Sequence, residues 1–121
     1  MATEDEAGES TRMVAPALRE RVRQSHSHLL EITEGAATRR FALSGDLVVL
    51  GRGADADFRI DSDELSRKHA WFRRRGTEYV CHDLDSRNGV FLNGLRVHSA
   101  VLRDGDIIEL GTVVIVYRDR F

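Results

Sequence analysis

The sequence predicts an all-β fold, a sandwich or a barrel of short strands. Short apolar runs alternate with turn residues along most of the chain, at spacings that leave no room for helices. Asn93-Gly94 separates two of these runs and is a strong hairpin signal, because a type I′ turn needs positive φ at both central positions. The regular alternation of short apolar runs with turn residues therefore indicates a β architecture.

The predicted strands follow one another at regular intervals. His28-Leu29-Leu30-Glu31-Ile32 and Arg40-Phe41-Ala42-Leu43 flank Gly35 and form a pair, and Leu47-Val48-Val49-Leu50 then leads into Gly51. Trp71 begins a later run, where an aromatic side chain is expected in the core. The remaining predicted strands lie at 70–74, 78–82, 90–92, 95–97, 107–110 and 113–117.

The N-terminal part of the chain differs in composition from the rest. The stretch from Thr3 to Thr11 is acidic and small, with nothing to bury, which favours disorder. Farther along, helix formers carry only a narrow apolar stripe of Val14, Leu18 and Val22. We therefore expect residues 1–27 to form a disordered or partly helical tail and residues 28–121 to form one domain.

Composition restricts the classes of partner. The 121 residues suffice for one domain, and their formal net charge of -2 provides no global basic field for nucleic acid. Cys81 is the only cysteine, which excludes an internal disulfide and favours a reducing compartment. No apolar run is long enough to span a membrane. We expect a cytoplasmic protein without nucleic-acid or membrane partners.

Three polar clusters lie where one predicted strand ends and the next begins. Arg52 offers a planar fork of donors that matches phosphate oxygens, Ser66 adds a hydroxyl donor, and Asn88 both donates and accepts. If their loops meet at one end of the fold, they form an anion pocket. The clusters are Gly51-Arg52-Gly53, Ser66-Arg67-Lys68-His69 and Ser86-Arg87-Asn88-Gly89.

The order and spacing of these clusters resemble the forkhead-associated (FHA) domain family from about His28 to Phe121. The resemblance implies an antiparallel β-sandwich of about eleven short strands, with recognition loops at one end. It also implies a phosphothreonine-peptide-binding module that acts as a signalling or assembly adaptor. The motifs are Gly-Arg, Ser-x-x-His, Ser-x-Asn-Gly, Asn93-Gly94, and Leu102-x-Asp104-Gly105-Asp106 before Gly111.

The same resemblance assigns roles to individual residues. Arg52 and Ser66 are expected on the phosphate, and Asn88 on the peptide backbone. Arg87 is expected to add a second cation, and Arg67 another peptide contact. Structural support of the site is expected from Gly51, His69 and Gly89.

Glu64, two residues before the motif serine, is expected to disfavour an acidic residue three places after the phosphothreonine. The expected partners are a phosphothreonine-containing protein or peptide and a Ser/Thr kinase or its substrates. Thr11 follows an acidic run and is a candidate phosphorylation site. Once phosphorylated, it would turn the tail into a tethered ligand that inhibits the domain in cis.

Other functions have weaker support in the sequence. A triad of Ser66, His69 and Asp83 can be drawn, but no nucleophile elbow accompanies it, so we expect no enzyme. The histidines and Cys81 lack paired ligand spacings, so neither a metal nor a cofactor is expected. The alternative that stays open is a phosphate-independent structural subunit that uses the sandwich as an assembly surface.

Overall fold

The computed structural model describes residues 27–120, and within that range it contains eleven strands and no helix. Ser27, which the sequence analysis assigned to the tail, is the first residue of β1. The rest of the predicted tail, including Thr11, lies outside the described residues. The strands are β1 Ser27–Glu34, β2 Ala37–Leu43, β3 Leu47–Gly51, β4 Phe58–Arg59, β5 Ala70–Arg75, β6 Glu78–Asp83, β7 Val90–Leu92, β8 Leu95–Val97, β9 Ser99–Val101, β10 Ile107–Leu110 and β11 Val113–Arg120.

The strands form two sheets. One has the order β2-β1-β11-β10-β7-β8, and the other has the order β4-β3-β5-β6-β9. The recorded strand pairs are antiparallel except for β3 and β4, which run parallel over two residue pairs. The predicted antiparallel sandwich of about eleven strands is confirmed. The two strands that no apolar run had indicated are the very short β4 and β9.

The core follows from alternation along the strands. In β6, Tyr79, Cys81 and Asp83 are buried while the residues between them are half-buried. β1 contributes Leu30 and Ile32 to the same apolar interior. Successive side chains of a strand point to opposite faces, so one face of each sheet supplies the layer between the sheets.

The expectation that Trp71 belongs to the core was wrong. Phe72 is fully buried, whereas Trp71 lies on the other side of β5 and is only half-buried. Its ring stacks on His82 of β6 with centroids 4.4 Å apart, and the guanidinium of Arg73 lies 4.9 Å from its centroid. Strand alternation allows only one of two adjacent aromatic residues to face inward.

The two ends of the sandwich differ. β3 ends at Gly51, where the first polar cluster begins, and β11 begins directly after Thr112, whose N–H donates to Glu64 Oε1 at 2.7 Å. We call this end of the sandwich, where Gly51 and Thr112 lie, the loop end. β11 finishes at Arg120, the register partner of Ser27. Ser27, the first described residue, therefore lies at the end opposite the polar clusters.

Candidate phosphopeptide site

The loop after β3 is fastened to the loop before β5 through backbone contacts. The N–H groups of Arg52 and Gly53 donate to the carbonyl oxygens of Ser66 and Arg67, each at 3.0 Å. The approach is so close that a Cβ at Gly51 would overlap the carbonyl oxygen of Arg67. Only glycine fits at this point, so Gly51 permits two of the three clusters to touch.

The loop after β6 joins the same assembly. The backbone N–H of Arg87 donates to Ser66 Oγ at 3.1 Å, and its Nη2 donates to the carbonyl of Asp63 at 3.1 Å. Asn88 Nδ2 donates to the carbonyl of Glu64 at 2.7 Å. All three polar clusters therefore meet at the loop end, although they are far apart in the sequence.

His69 lies buried beneath these loops. The N–H of Ser66 donates to Nδ1 at 3.0 Å, which leaves the ring proton on Nε2 to donate to the carbonyl of Gly89 at 2.7 Å. Gly89 has φ 85°, a left-handed conformation that favours glycine. Both ring nitrogens are thus occupied by loop backbone, which gives His69 a scaffolding position.

Asp83 and Ser86 also support the site, although sequence reasoning gave them no such role. The N–H of Ser86 donates to Asp83 Oδ1 at 3.0 Å, and the N–H of Gly89 donates to Ser86 Oγ at 2.9 Å. These are the local turns that short polar side chains form with the backbone a few residues on. The Asp-x-x-Ser-x-x-Gly spacing was the signal that could have identified them.

The hydrogen bonds within the loops decide which polar atoms of Arg52, Ser66 and Asn88 stay available for a ligand. Arg52 Nε donates to the carbonyl of Leu65 at 2.9 Å, which orients the guanidinium and leaves its terminal N–H groups for another acceptor. Ser66 Oγ accepts from Arg87, so its own hydrogen can point to an anion. Asn88 uses its amide nitrogen internally and retains its side-chain oxygen as an acceptor. The arrangement can hold a phosphate beside an extended backbone.

An open cleft of about 760 Å³ lies on one flank of Arg52. Arg59 and Lys68 belong to it and were not predicted as site residues. No apolar run indicated β4, which holds Arg59, and Lys68 was given no role although it is part of the second polar cluster. Arg67, predicted as a peptide contact, also lines this cleft. The complete lining is Arg52, Gly53, Ala54, Asp55, Arg59, Arg67 and Lys68.

Glu64 occupies the opposite flank. Its Oε1 accepts from Thr112 N–H, and its backbone carbonyl accepts from Asn88. Its Cβ also packs against Gly111, where an added Cβ would lie 2.7 Å away. The carboxylate therefore fastens the loop before β5 to the turn before β11, a structural contact that the sequence did not indicate.

Cys81 lies in the core below the loops. Burial, and secondarily the negative charge of Asp83, raises the pKa of its thiol to about 12. At neutral pH the thiol is protonated and is a poor nucleophile and metal ligand. Residues 27–120 contain no group of three or more histidine, cysteine or acidic side chains placed to hold a metal ion.

Comparison with known proteins identifies the family. The family model described as "FHA domain" matches residues 48–111, which contain all three polar clusters. The chain belongs to the FHA domain family. The resemblance inferred from the sequence motifs is therefore confirmed. Within the described part of this FHA domain, no helix has the length and apolarity to cross a membrane.

Two curated proteins similar to this chain come from Corynebacterium jeikeium and Mycolicibacterium smegmatis. The oxoglutarate dehydrogenase inhibitor of Corynebacterium jeikeium is 38% identical over 92 residues, which are 75% of this chain and 64% of that protein. The glycogen accumulation regulator GarA of Mycolicibacterium smegmatis is 38% identical over 94 residues, which are 77% of this chain and 60% of GarA. This FHA domain thus spans less than two thirds of either relative.

Solved structures agree with the fold. An FHA domain from a study of phosphothreonine-dependent FHA domain interactions has 36% identity and a TM-score of 0.72, with coverage of 76% of this chain and 95% of that one. The FHA domain of FhaA, crystallised with the intracellular domain of Rv3910, has 36% identity and a TM-score of 0.71, with coverage of 76% and 100%. Both relatives share the two-sheet architecture described above.

Proposed function

We propose that this FHA domain binds phosphothreonine peptides and acts as a signalling or assembly adaptor. The observation that carries the proposal is the convergence of Arg52, Ser66 and Asn88, whose loops are joined by direct hydrogen bonds. The phosphothreonine-dependent interactions studied in a similar FHA domain support it. The partner is a phosphothreonine-containing protein, produced by a Ser/Thr kinase.

In this proposal the phosphate lies between Arg52 and Ser66. Phosphothreonine carries close to two negative charges and three strong acceptor oxygens. Arg52 supplies terminal guanidinium donors, Ser66 supplies its hydroxyl, and Arg67 and Arg87 add positive charge at the rim. Each charge-assisted hydrogen bond contributes about 1.5–3 kcal/mol, and after ordering and desolvation a binding free energy of about -8 kcal/mol is reasonable.

Recognition of the peptide itself falls to the loop after β6. The side-chain oxygen of Asn88 accepts a backbone N–H of the extended ligand, which fixes the peptide across the site. Glu64 flanks the position three residues after the phosphothreonine and disfavours an acidic side chain there. Unmodified threonine leaves Arg52 without an anion, so phosphorylation by a kinase is the switch for binding.

Binding, rather than catalysis, is the activity we propose. His69 has both ring nitrogens on loop backbone, so it has no free nitrogen with which to activate Ser66. We also propose a cytoplasmic location, because the buried free thiol of Cys81 fits a reducing compartment.

The test compares matched phosphothreonine and threonine peptides by calorimetry. Wild type is expected to bind the phosphopeptide at least about tenfold more tightly, and Arg52→Ala to lose most of that difference. Arg103→Ala, an exposed arginine at the other end of the sandwich, is the matched control and should behave as wild type. Equal binding of both peptides to wild type would favour the phosphate-independent structural subunit instead.

We further propose that phosphorylated Thr11 occupies this site in cis. About sixteen residues separate Thr11 from Ser27, and at roughly 3.3 Å each they can extend about 50 Å. The sandwich is shorter, since an eight-residue strand such as β1 measures roughly 26 Å. The tail can therefore reach the loop end from the opposite end of the domain, at a high effective concentration.

Occupation of the site by the protein's own phosphorylated tail, which we call self-masking, is tested with an external phosphopeptide. Protein phosphorylated at Thr11 should bind it at least about tenfold more weakly than unmodified protein, because the tethered ligand competes. Thr11→Ala protein treated with the same kinase should keep full affinity. Undiminished binding by the phosphorylated protein would rule out masking while leaving the binding module intact.

A further inference from the structure

The cleft beside Arg52 is strongly basic. Four cationic side chains line it, Arg52, Arg59, Arg67 and Lys68, against the single carboxylate of Asp55. The phosphate of a bound peptide needs Arg52 and the adjoining hydroxyl of Ser66, which leaves Arg59 and Lys68 farther along the same cleft. A single phosphate therefore does not account for the positive charge on this flank.

Arg59 is held in position for such a role. Its Nε donates to the carbonyl of Arg52 at 3.0 Å, so its guanidinium is fixed next to the phosphate-binding arginine. Its Nη2 also lies 3.6 Å from Asp61 Oδ1, and the two side chains are 51% and 83% exposed, respectively. An exposed pair of this kind is weak, so the guanidinium can exchange it for a ligand anion.

Lys68 has a similar environment. Its ammonium lies 3.6 Å from Asp55, and the two side chains are 58% and 70% exposed. The pair is long and solvated, and Lys68 otherwise projects into the open cleft. Arg59 and Lys68 together form a second cationic position, beside but separate from the phosphate-binding groups.

The flank at Glu64 is less basic than the cleft. Asp63 and Glu64 lie there together with one cation, Arg87, whose guanidinium donates to the Asp63 carbonyl. A peptide that crosses the site thus passes from the basic cleft at Arg59 and Lys68 to the carboxylate of Glu64. Since the proposed orientation places residues after the phosphothreonine at Glu64, residues before it lie in the basic cleft.

We infer that Arg59 and Lys68 select ligands with acidic residues before the phosphothreonine. This inference rests on the proposed phosphopeptide binding and specifies its ligand class. The chain itself carries such a sequence, because Thr11 is preceded by an acidic run whose charge is complementary to that of the basic cleft. The acidic residues of the run are Glu4, Asp5, Glu6 and Glu9.

The experiment uses two synthetic peptides of residues 3–20 with phosphorylated Thr11. One has the native sequence, and the other has the four acidic residues before Thr11 replaced by their amides. Calorimetry with the full chain at low salt should show about tenfold tighter binding of the acidic peptide, a preference that falls to about twofold at 1 M salt. The replacements are Glu4→Gln, Asp5→Asn, Glu6→Gln and Glu9→Gln.

Variants of the protein test whether Arg59 and Lys68 cause the preference for the acidic peptide. Arg59→Gln combined with Lys68→Gln should reduce the preference to about twofold or less, and Lys68→Gln alone, which breaks no recorded backbone contact, should lower it partly. The control that removes the same charge is Arg75→Gln with Arg103→Gln, exposed residues at the other end of the sandwich. It should keep the full preference.

The outcomes separate the two proposals. If both phosphopeptides bind equally well and far more tightly than an unphosphorylated peptide, phosphothreonine binding stands and the acidic selection is overturned. A preference that both double variants lose equally would also overturn it, because the effect would then reflect net charge. If neither phosphopeptide binds better than its unphosphorylated form, both the proposed function and this inference are wrong.

Discussion

His69 Nε2 donates to the carbonyl of Gly89 at 2.7 Å, a bond between residues from two different recognition loops. On the other side of the ring, Nδ1 receives the N–H of Ser66 at 3.0 Å. One buried imidazole therefore fixes the distance between the loop before β5 and the loop after β6. The geometry of the proposed phosphate site depends on this residue although it lies beneath the surface.

Replacement of His69 by alanine should weaken the fold and the site together. Ser66 N–H and the Gly89 carbonyl would both lose their partners, and each unsatisfied buried group costs about 1–3 kcal/mol. We expect the free energy of unfolding in urea to fall by about 2–5 kcal/mol. Phosphopeptide affinity at 10 °C should also fall in the fraction that stays folded.

The control for this prediction is His98→Ala, which removes an exposed imidazole. It should change the free energy of unfolding by less than about 0.5 kcal/mol. An unfolding curve of His69→Ala that superimposes on that of His98→Ala would contradict the scaffolding role.

Gly51→Ala should be among the most damaging small substitutions in the chain. The new methyl group would overlap the backbone carbonyl of Arg67, and the loop after β3 would have to move away from the loop before β5. We expect a loss of about 3 kcal/mol or more in the free energy of unfolding. Circular dichroism during thermal and urea unfolding measures it.

Gly45→Ala is the comparison for Gly51→Ala. Gly45 has φ 80°, but an added Cβ meets nothing within 4 Å, so the cost is conformational strain alone. That strain is about 1–2 kcal/mol. A loss at Gly51 no greater than the loss at Gly45 would show that the loops separate easily.

Glu64→Gln should relax the choice of ligand without loosening the loop. Glutamine keeps a side-chain oxygen for Thr112 N–H and removes the negative charge. Peptides with aspartate three places after the phosphothreonine should gain about threefold in affinity, as expected for removal of a repulsion near the surface. Peptides with alanine at that position should bind as before.

The corresponding control is Glu78→Gln, at the turn between β5 and β6. It should change neither affinity. A uniform change for both peptides with Glu64→Gln would indicate an effect on loop structure rather than on selectivity.

The thiol of Cys81 should make stability depend on alkaline pH. Burial raises its pKa from 9.0 to about 12, so the unfolded chain loses this proton first as the pH rises. The stabilising contribution is complete below pH 9 and is lost between pH 9 and about 12. Over that range it declines by about 1.4 kcal/mol per pH unit.

Cys81→Ala isolates this contribution from other titrating groups. At pH 7.5 the variant should be less stable than wild type by about 1–2 kcal/mol, because a small cavity replaces the sulfur. From pH 9 upward the difference in free energy of unfolding should shrink. A difference that stays constant to pH 10.5 would mean that the thiol ionises in the folded protein as readily as in the unfolded one.

The sequence by itself determined the β class, most strand positions and the polar clusters. Local chemistry is enough for these features: Asn93-Gly94 favours a tight turn, and apolar runs bounded by turn residues favour strands. It also led to the prediction that Arg52 and Ser66 form an anion-binding pair.

Only the tertiary structure decided how distant segments meet. β4 is a strand only because Phe58 and Arg59 pair in parallel with β3, and no local sequence pattern indicates that pairing. Trp71 faces outward because the register of β5 places Phe72 in the core. Arg59 and Lys68 share a cleft because the fold brings β4 next to the loop before β5. Local sequence encodes backbone preference and alternation, whereas side-chain neighbourhoods across the sandwich depend on contacts between residues far apart in the chain.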